Sequence, residues 1–215
     1  MTVAERGARA RPDLTAQLRD AILNAEFAPH QRLVEADLSA QYGATRASVR
    51  TTLLTLAGEG LIERLPNRGA RVRAISVGEA IEIVEVRVGL ESLCARKAAE
   101  NLTEDGADKL RALRTALETT VSTGDLLGYS RLNQDLDRLL RALSGHETAT
   151  LLLERLLAQS ARHQFRLGFL PGRAAASTAE HTAIIDAVLA RDPDAAETAT
   201  RTHLAGVIAL LRTRD

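Results

Sequence analysis

The pattern of hydrophobic and polar positions changes character near residue 75. Before that point, apolar residues indicate a short helix, then two helices joined by a tight turn, then two short strands. After it, apolar residues recur only at helical spacing, with short breaks. The pattern predicts a mainly α chain of two domains, a winged helix-turn-helix at 1–75 and an antiparallel α-helical bundle at 76–215.

The two helices in the first domain carry the most informative residues. Apolar Leu38, Val49 and Leu53 outline their buried faces, and Gly43 occupies the turn between them. Glycine adopts the left-handed backbone of such a turn at low cost. Thr45 stands where the second helix needs an N-cap. Together these features predict a helix-turn-helix.

The start of the second helix has the side chains that a DNA-recognition helix needs. Arg46 and Arg50 are four residues apart and share one helix face. The first residues of a recognition helix meet base edges, and arginine can pair with guanine through two hydrogen bonds. The residues predicted to contact DNA here are Thr45, Arg46, Ser48, Arg50 and Thr51. The alternative is a small helical module with a solvated arginine face.

Two short runs after the helix-turn-helix predict a β-hairpin. Residues 61–65 and 70–74 read as strands, and the second run alternates apolar and basic side chains. A hairpin in this position is a wing. Its tip carries Arg68 beside Gly69, which permits close backbone approach to DNA, so both join the predicted DNA-binding residues.

The second domain is predicted to contain six helices, each bounded by capping or breaking residues. Four leucines of the fourth helix, at 151, 152, 156 and 157, are expected to face inward. The predicted helices span 77–101, 103–124, 125–144, 147–168, about 174 or 177 to 191, and 193 to at least 211.

Charge and composition are compatible with a DNA-binding head on a neutral-to-acidic body. The chain has 28 Lys and Arg against 28 Asp and Glu. The first 75 residues hold 11 basic and 8 acidic residues, leaving 17 and 20 for the rest. One cysteine, Cys94, suits a reducing compartment and is expected to be a buried thiol. No apolar run approaches a membrane span, so we expect a cytoplasmic protein without a membrane partner.

A group of polar residues stands out in the otherwise apolar bundle. Asn133 and Asp137 are four residues apart on the third bundle helix, His181 is on the fifth, and His203 is on the sixth. A carboxylate and two imidazoles from neighbouring helices can bind zinc or a similar divalent transition metal, as a regulatory site or as the facial triad of an enzyme. The alternative is that Asp137 pairs with an arginine of its own helix and that each histidine lies at the surface.

A basic residue in the same domain is a candidate for binding an acidic effector. Arg87, on the first bundle helix, is the best placed, and Arg166 is a weaker candidate. The alternative is that Arg87 pairs with Glu91 one turn further on.

Several segments resemble a known family. The first domain resembles the DNA-binding head of GntR-type transcriptional regulators through LRDAIL (18–23), FAPHQRLVEADLS (27–39), YGATRASVR (42–50), LAGEGLI (56–62) and PNRGARV (66–72). The second resembles the helical FCD ligand-binding domain of the FadR subfamily through EVRVGLE (85–91), RALSGH (141–146), EHTAIIDAV (180–188) and THL (202–204). The resemblance covers residues 12–215.

The resemblance implies a homodimer that binds a palindromic DNA operator, most often as a repressor. It implies that a small molecule, often a carboxylate, occupies the bundle and changes the grip on DNA, and that the wing enters the minor groove. It also implies a divalent metal held by an aspartate, a histidine four residues later and two further histidines. These positions are Asn133, Asp137, His181 and His203 in this chain.

Two of the four positions depart from the family pattern. Asn133 replaces the aspartate and Asp137 replaces the first histidine, so the set becomes one carboxylate, one amide and two imidazoles. An amide oxygen is a poor zinc ligand. A metal-bound pocket, a metal-free pocket and an empty vestigial pocket therefore all stay open. The first domain departs as well: Ser48 stands where proline is common, and Thr51 and Thr52 stand where Glu and Ala are common. We expect these departures to alter the choice of operator without abolishing DNA binding.

Overall fold

The computed structural model describes residues 13–23, 26–65, 69–168 and 170–213, without the side chains of 161–166 and 168. The chain divides into two compact units between Ala74 and Ile75. The predicted fold class is confirmed: helices predominate, and the described strands lie in the first unit.

The first unit is a winged helix-turn-helix. Its elements are α1 (Leu14–Leu23), β1 (Arg32–Leu33), α2 (Glu35–Tyr42), α3 (Arg46–Gly58), β2 (Ile62–Leu65) and β3 (Gly69–Val72). Gly43 has φ +60° in the turn, and the Thr45 hydroxyl accepts a hydrogen bond from the Ser48 N–H at 3.1 Å. Both features match the predicted turn and cap. The core is formed by Leu18, Leu33, Leu38, Val49, Leu56 and Val72.

The sheet has one more strand than the sequence predicts. The order is β1–β3–β2, with both pairs antiparallel, and Leu33 of β1 lies opposite Ala70 of β3. A strand of two residues is too short to show alternation, so it leaves no pattern in the sequence. The predicted strands at 61–65 and 70–74 each differ by one or two residues from the observed ones.

Gly69, the first residue of β3, has a backbone conformation that residues with a side chain rarely adopt. Its φ is +84°, and an added Cβ would lie 3.1 Å from the Leu33 carbonyl oxygen. We expect Gly69→Ala to lower the free energy of unfolding by about 1–2 kcal/mol, measured by urea denaturation. Gly58→Ala is the matched control, because an added Cβ there meets open space. Equal stability of the two variants would contradict the proposed strain.

The second unit is a bundle of six helices within the described residues. They are α4 (Val77–Glu100), α5 (Glu104–Thr123), α6 (Leu126–Ser144), α7 (Glu147–Gly168), α8 (Arg173–Leu189) and α9 (Pro193–Arg212). Side chains cap four of them as local sequence signals predict, namely Ser76, Thr103, Asp125 and Asp192. Helix α4 packs against α6, α7, α8 and α9, so it forms the centre of the unit. No helix in the described ranges is long and apolar enough to cross a membrane.

The inward face of α7 differs from the prediction. Leu151 and Leu152 are 61% and 44% exposed, whereas Leu153 is fully buried. At about 100° per residue, positions 151, 152, 156 and 157 spread over about 240° of the helix, so they cannot all face one side. Leu156 and Leu157 are half-buried, and Leu157 packs inward as predicted. The buried stripe instead runs through Ala149 and Leu153, which pack with Cys94. The Cys94 thiol is buried, as expected.

Candidate functional site

The N-terminal face of α3 is available to DNA. Thr45, Arg46, Ser48, Arg50 and Thr51 are all exposed, although the Thr51 hydroxyl bonds back to the Ala47 carbonyl at 3.1 Å. Exposure is what base contact requires, and the contacts themselves stay a prediction. Gly69 is exposed on the wing, while Arg68 lies outside the described residues.

Arg50 has a partner that the sequence did not reveal. Its Nε donates to Glu35 Oε2 at 2.7 Å, across 15 positions of the chain. Glu35 lies at the start of α2, where an acidic residue is also favoured by the helix dipole. The carboxylate therefore holds a guanidinium on the predicted DNA-binding face, where we expect it to compete with DNA phosphate for Arg50.

Removing this carboxylate is expected to weaken discrimination between DNA sequences. Glu35→Gln should raise the affinity for random-sequence duplex DNA a few-fold. The slope of log K against log salt concentration should become steeper by about one. Fluorescence anisotropy at several salt concentrations measures both. Asp37→Asn, an exposed change on the same helix, controls for net charge. Equal effects of the two substitutions would contradict a specific role for Glu35.

The helical unit contains a partly open cavity of about 70 Å³ with polar and apolar lining residues. Side chains from α4, α6, α7, α8 and α9 line it: Arg87, Tyr129, Asn133, Asp137, Leu167, Arg173, Ser177, His203 and Val207. A smaller cavity of about 20 Å³ shares Asp137 and His203 and adds His181. The structure thus brings the four predicted metal positions, and Arg87, to one pair of cavities.

Neither histidine lies at the surface, because His181 is buried and the His203 side chain is only 13% exposed, so the surface alternative is wrong. His181 is 2% exposed, and its ring centroid lies 4.5 Å from that of His203. Burial lowers the pKa of His181 well below its ordinary value, which keeps the imidazole neutral. A neutral imidazole can accept a hydrogen bond or bind a metal.

Asp137 does not pair with an arginine of its own helix. Arg138 pairs with Asp135 instead, and Asp137 forms no hydrogen bond or ion pair in the described part of the chain. Burial and the nearby Glu91 raise the pKa of Asp137 to about 6, against the opposing influence of Arg87. The carboxylate faces the cavities without a partner.

Arg87 pairs with Glu91 and also has a donor without a partner. Its Nε donates to Glu91 at 2.6 Å, so the predicted ion pair is confirmed. The side chain is only 6% exposed, and its Nη1 has no hydrogen-bond partner. One buried cationic donor therefore remains for a ligand. The Arg166 side chain lies outside the described residues.

Glu180 and Arg173 were missed by the sequence interpretation. The Glu180 carboxylate accepts hydrogen bonds from both Nη atoms of Arg173, at 3.1 and 2.9 Å, and lies 2.6 Å from His203 Nδ1. Burial opposes ionisation of Glu180, but these hydrogen bonds and charges outweigh it and lower the pKa to about 2. Glu180 therefore fixes the His203 ring. The only available signal was its position directly before His181.

The residues at the predicted metal positions fit a divalent metal only in part. The His203 ring is oriented by a carboxylate, as is common for metal-binding histidines. However, no three His, Cys, Asp or Glu side chains in the described ranges are grouped as metal ligands. As placed, the residues do not form a metal centre. The divalent transition metal at Asn133, Asp137, His181 and His203 stays a prediction.

A winged helix-turn-helix with an exposed arginine face, joined to a helical domain around a polar pocket, defines a DNA-binding transcriptional regulator with an effector-binding domain. Family comparison agrees: residues 12–72 match the gntR family of bacterial regulatory proteins, and residues 82–206 match the FCD domain. The chain belongs to the gntR family, and the resemblance seen in its motifs is confirmed.

Relatives agree along most of the chain. It is 27% identical to the HTH-type transcriptional repressor RspR of Escherichia coli, covering 87% of this chain and 82% of that protein. It is 30% identical to the probable D-xylose utilization operon transcriptional repressor of Paenarthrobacter nicotinovorans, covering 81% and 76%. Escherichia coli McbR/YncC shares the fold, with a TM-score of 0.80, 20% identity, and coverage of 95% and 97%. The family comprises regulators, so the enzyme alternative is set aside.

Proposed function

We propose that this protein is a transcriptional repressor that binds a palindromic operator as a homodimer and is controlled by a small carboxylate-bearing effector in the helical domain. It would act on DNA in the cytoplasm. The observation that carries the proposal is the buried Arg87 Nη1, which has no partner and borders a polar cavity. The printed descriptions of two relatives as repressors support the direction of regulation.

An exposed apolar surface on the helical unit supports the homodimer. Val86 is 56% exposed on α4, and Gly89, one turn further, is exposed as well. Leu151 and Leu152 are exposed on α7, which packs against α4. Contiguous exposed apolar patches mark interaction sites, and we infer that these residues of α4 and α7 form the contact between the two copies. Two-fold symmetric copies present two recognition helices to two half-sites, which is why the operator is expected to be palindromic.

Control by the effector follows from the construction of the pocket. Its lining comes from α4, α6, α7, α8 and α9, so a bound molecule contacts five helices at once. The effector changes DNA affinity only if it prefers one arrangement of those helices. Helix α4 follows the winged helix directly in sequence, so it is the natural element to transmit the change.

The proposal is tested on operator DNA selected by the wild-type protein from a random pool. The protein is expected to protect two symmetric half-sites and to sediment as a dimer. Screening small carboxylates by thermal shift should identify compounds that raise the Tm, because binding to the native state stabilises it. The same compounds should release the selected DNA. If no carboxylate raises the Tm or releases the DNA, the pocket is the empty vestigial one.

The metal is tested separately by elemental analysis of tag-free protein purified without chelator. About one divalent metal per chain, lost in His203→Ala, would establish the predicted site. No metal in either sample would mean that the side chains of the pocket bind an effector without a metal.

A further inference from the structure

The pocket in the helical unit contains both hydrogen-bond donors and hydrogen-bond acceptors that have no partner. Within the described chain, Arg87 Nη1, Asn133 Oδ1 and His181 Nδ1 are buried without a hydrogen-bond partner, and all three residues line the two cavities. Buried polar groups are nearly always paired in folded proteins, so such a concentration indicates a place for a polar ligand.

The unmatched donor is a guanidinium group. Glu91 takes Nε of Arg87, and Nη1 is left unpaired inside the protein. Arg173, which also borders the cavity, already donates from both of its Nη atoms to Glu180 and has no buried nitrogen without a partner. Arg87 therefore remains as the group to bind a carboxylate.

The unmatched acceptors lie one helical turn apart on α6. The Asp137 carboxylate forms no hydrogen bond or ion pair in the described part of the chain, and Asn133 Oδ1 is buried without a partner. An acceptor pair with one negative charge is completed by a donor with a positive charge. A metal would need further ligands, and no group of three or more His, Cys, Asp or Glu among the described residues supplies them.

Resting on the proposed function, we propose that the effector is a small zwitterionic α-amino acid, with its carboxylate on Arg87 and its ammonium group on Asp137 and Asn133. A simple carboxylate would place a second anion near Asp137 without bringing a cation. A hydroxy acid would bring a donor but no charge, and hydrogen bonds between charged groups are the stronger ones.

The volume of the cavity favours a small ligand. A water molecule needs roughly 10–15 Å³ of such volume, so about 70 Å³ holds five or six groups of that size. Glycine, alanine and serine are of this size. Leu167 and Val207 supply an apolar wall for a methyl group.

The test compares three molecules of nearly equal shape: L-alanine, L-lactate and propionate. Titration calorimetry on the full-length protein, with and without chelator, should show alanine binding about tenfold or more tighter than lactate, with propionate weaker still. Chelator should change nothing. Equal or tighter binding of lactate or propionate, or no binding of glycine, alanine or serine, would overturn the proposal. Stoichiometric metal whose removal abolishes binding would also overturn it.

Variants locate the ammonium site. Asp137→Asn keeps the size of the side chain and removes its charge, and should reduce the preference for alanine over lactate to about twofold or less. Asp135→Asn, on the same helix but outside the cavity lining, should keep the wild-type preference. An unchanged preference in Asp137→Asn would overturn the assignment.

DNA release separates this inference from the function on which it rests. If lactate or propionate binds and releases operator DNA while alanine does not, the regulator is established and the amino-acid class is wrong. If ligands bind and DNA affinity never changes, the proposed control by an effector fails as well.

Discussion

Replacing Arg46 with alanine is expected to lower the affinity for operator DNA about 10- to 100-fold. Arg46 opens α3, is exposed, and forms no ion pair in the described part of the chain. A bidentate contact with a base discriminates by roughly 1–3 kcal/mol, which corresponds to this loss. Because the side chain supports no packing, the free energy of unfolding should change by less than about 0.5 kcal/mol.

The measurement is an anisotropy titration with selected operator and with random-sequence DNA of the same length. If Arg46 contacts a base, the operator complex should lose far more affinity than the random complex. An equal loss of affinity for both DNAs would indicate that Arg46 contacts phosphate instead of a base. Arg131→Ala, an exposed arginine of the helical unit, is the control and should bind DNA as the wild type does. An unchanged operator affinity in Arg46→Ala would exclude α3 as the recognition helix.

Most of the fold could be predicted because its signals are local. The Thr45 and Ser76 hydroxyls each accept from the N–H three residues later, so short stretches of sequence specify both helix starts. Gly43 and Gly124 end helices with positive φ. Helical periodicity placed the remaining boundaries within a few residues.

The features that were missed depend on residues far apart in the chain. Glu35 meets Arg50 across the turn, and Arg19 meets Glu59 across 40 positions. The outward direction of Leu151 depends on which side of α7 packs against α4. No local pattern contains this information, because it is produced only when the elements pack together.

The candidate pocket shows the same division. The residue types at Asn133, Asp137, His181 and His203 indicated a polar site, and the structure groups them around two cavities. The spacing of residues in the sequence could not decide whether Arg87 pairs with Glu91 or faces a ligand. A guanidinium has several donors, and here Nε is paired while Nη1 is not.

Glu180→Gln is expected to lower the free energy of unfolding by about 2 kcal/mol at pH 7, since it removes the anion that holds Arg173 and His203. The carboxylate has a folded-state pKa of about 2 against an ordinary value of 4.5. Its stabilising contribution is therefore complete above pH 4.5 and is lost as the pH falls towards 2. Urea denaturation across this range should show the free energies of unfolding of the wild type and the variant converging on acidification.

Glu118→Gln, which breaks an exposed pair on α5, should cost less than about 1 kcal/mol and is the control. A difference between wild type and Glu180→Gln that stays constant with pH would mean that the ionised carboxylate is not the source of the stability. In that case Glu180 would not be the group that fixes His203 in the pocket.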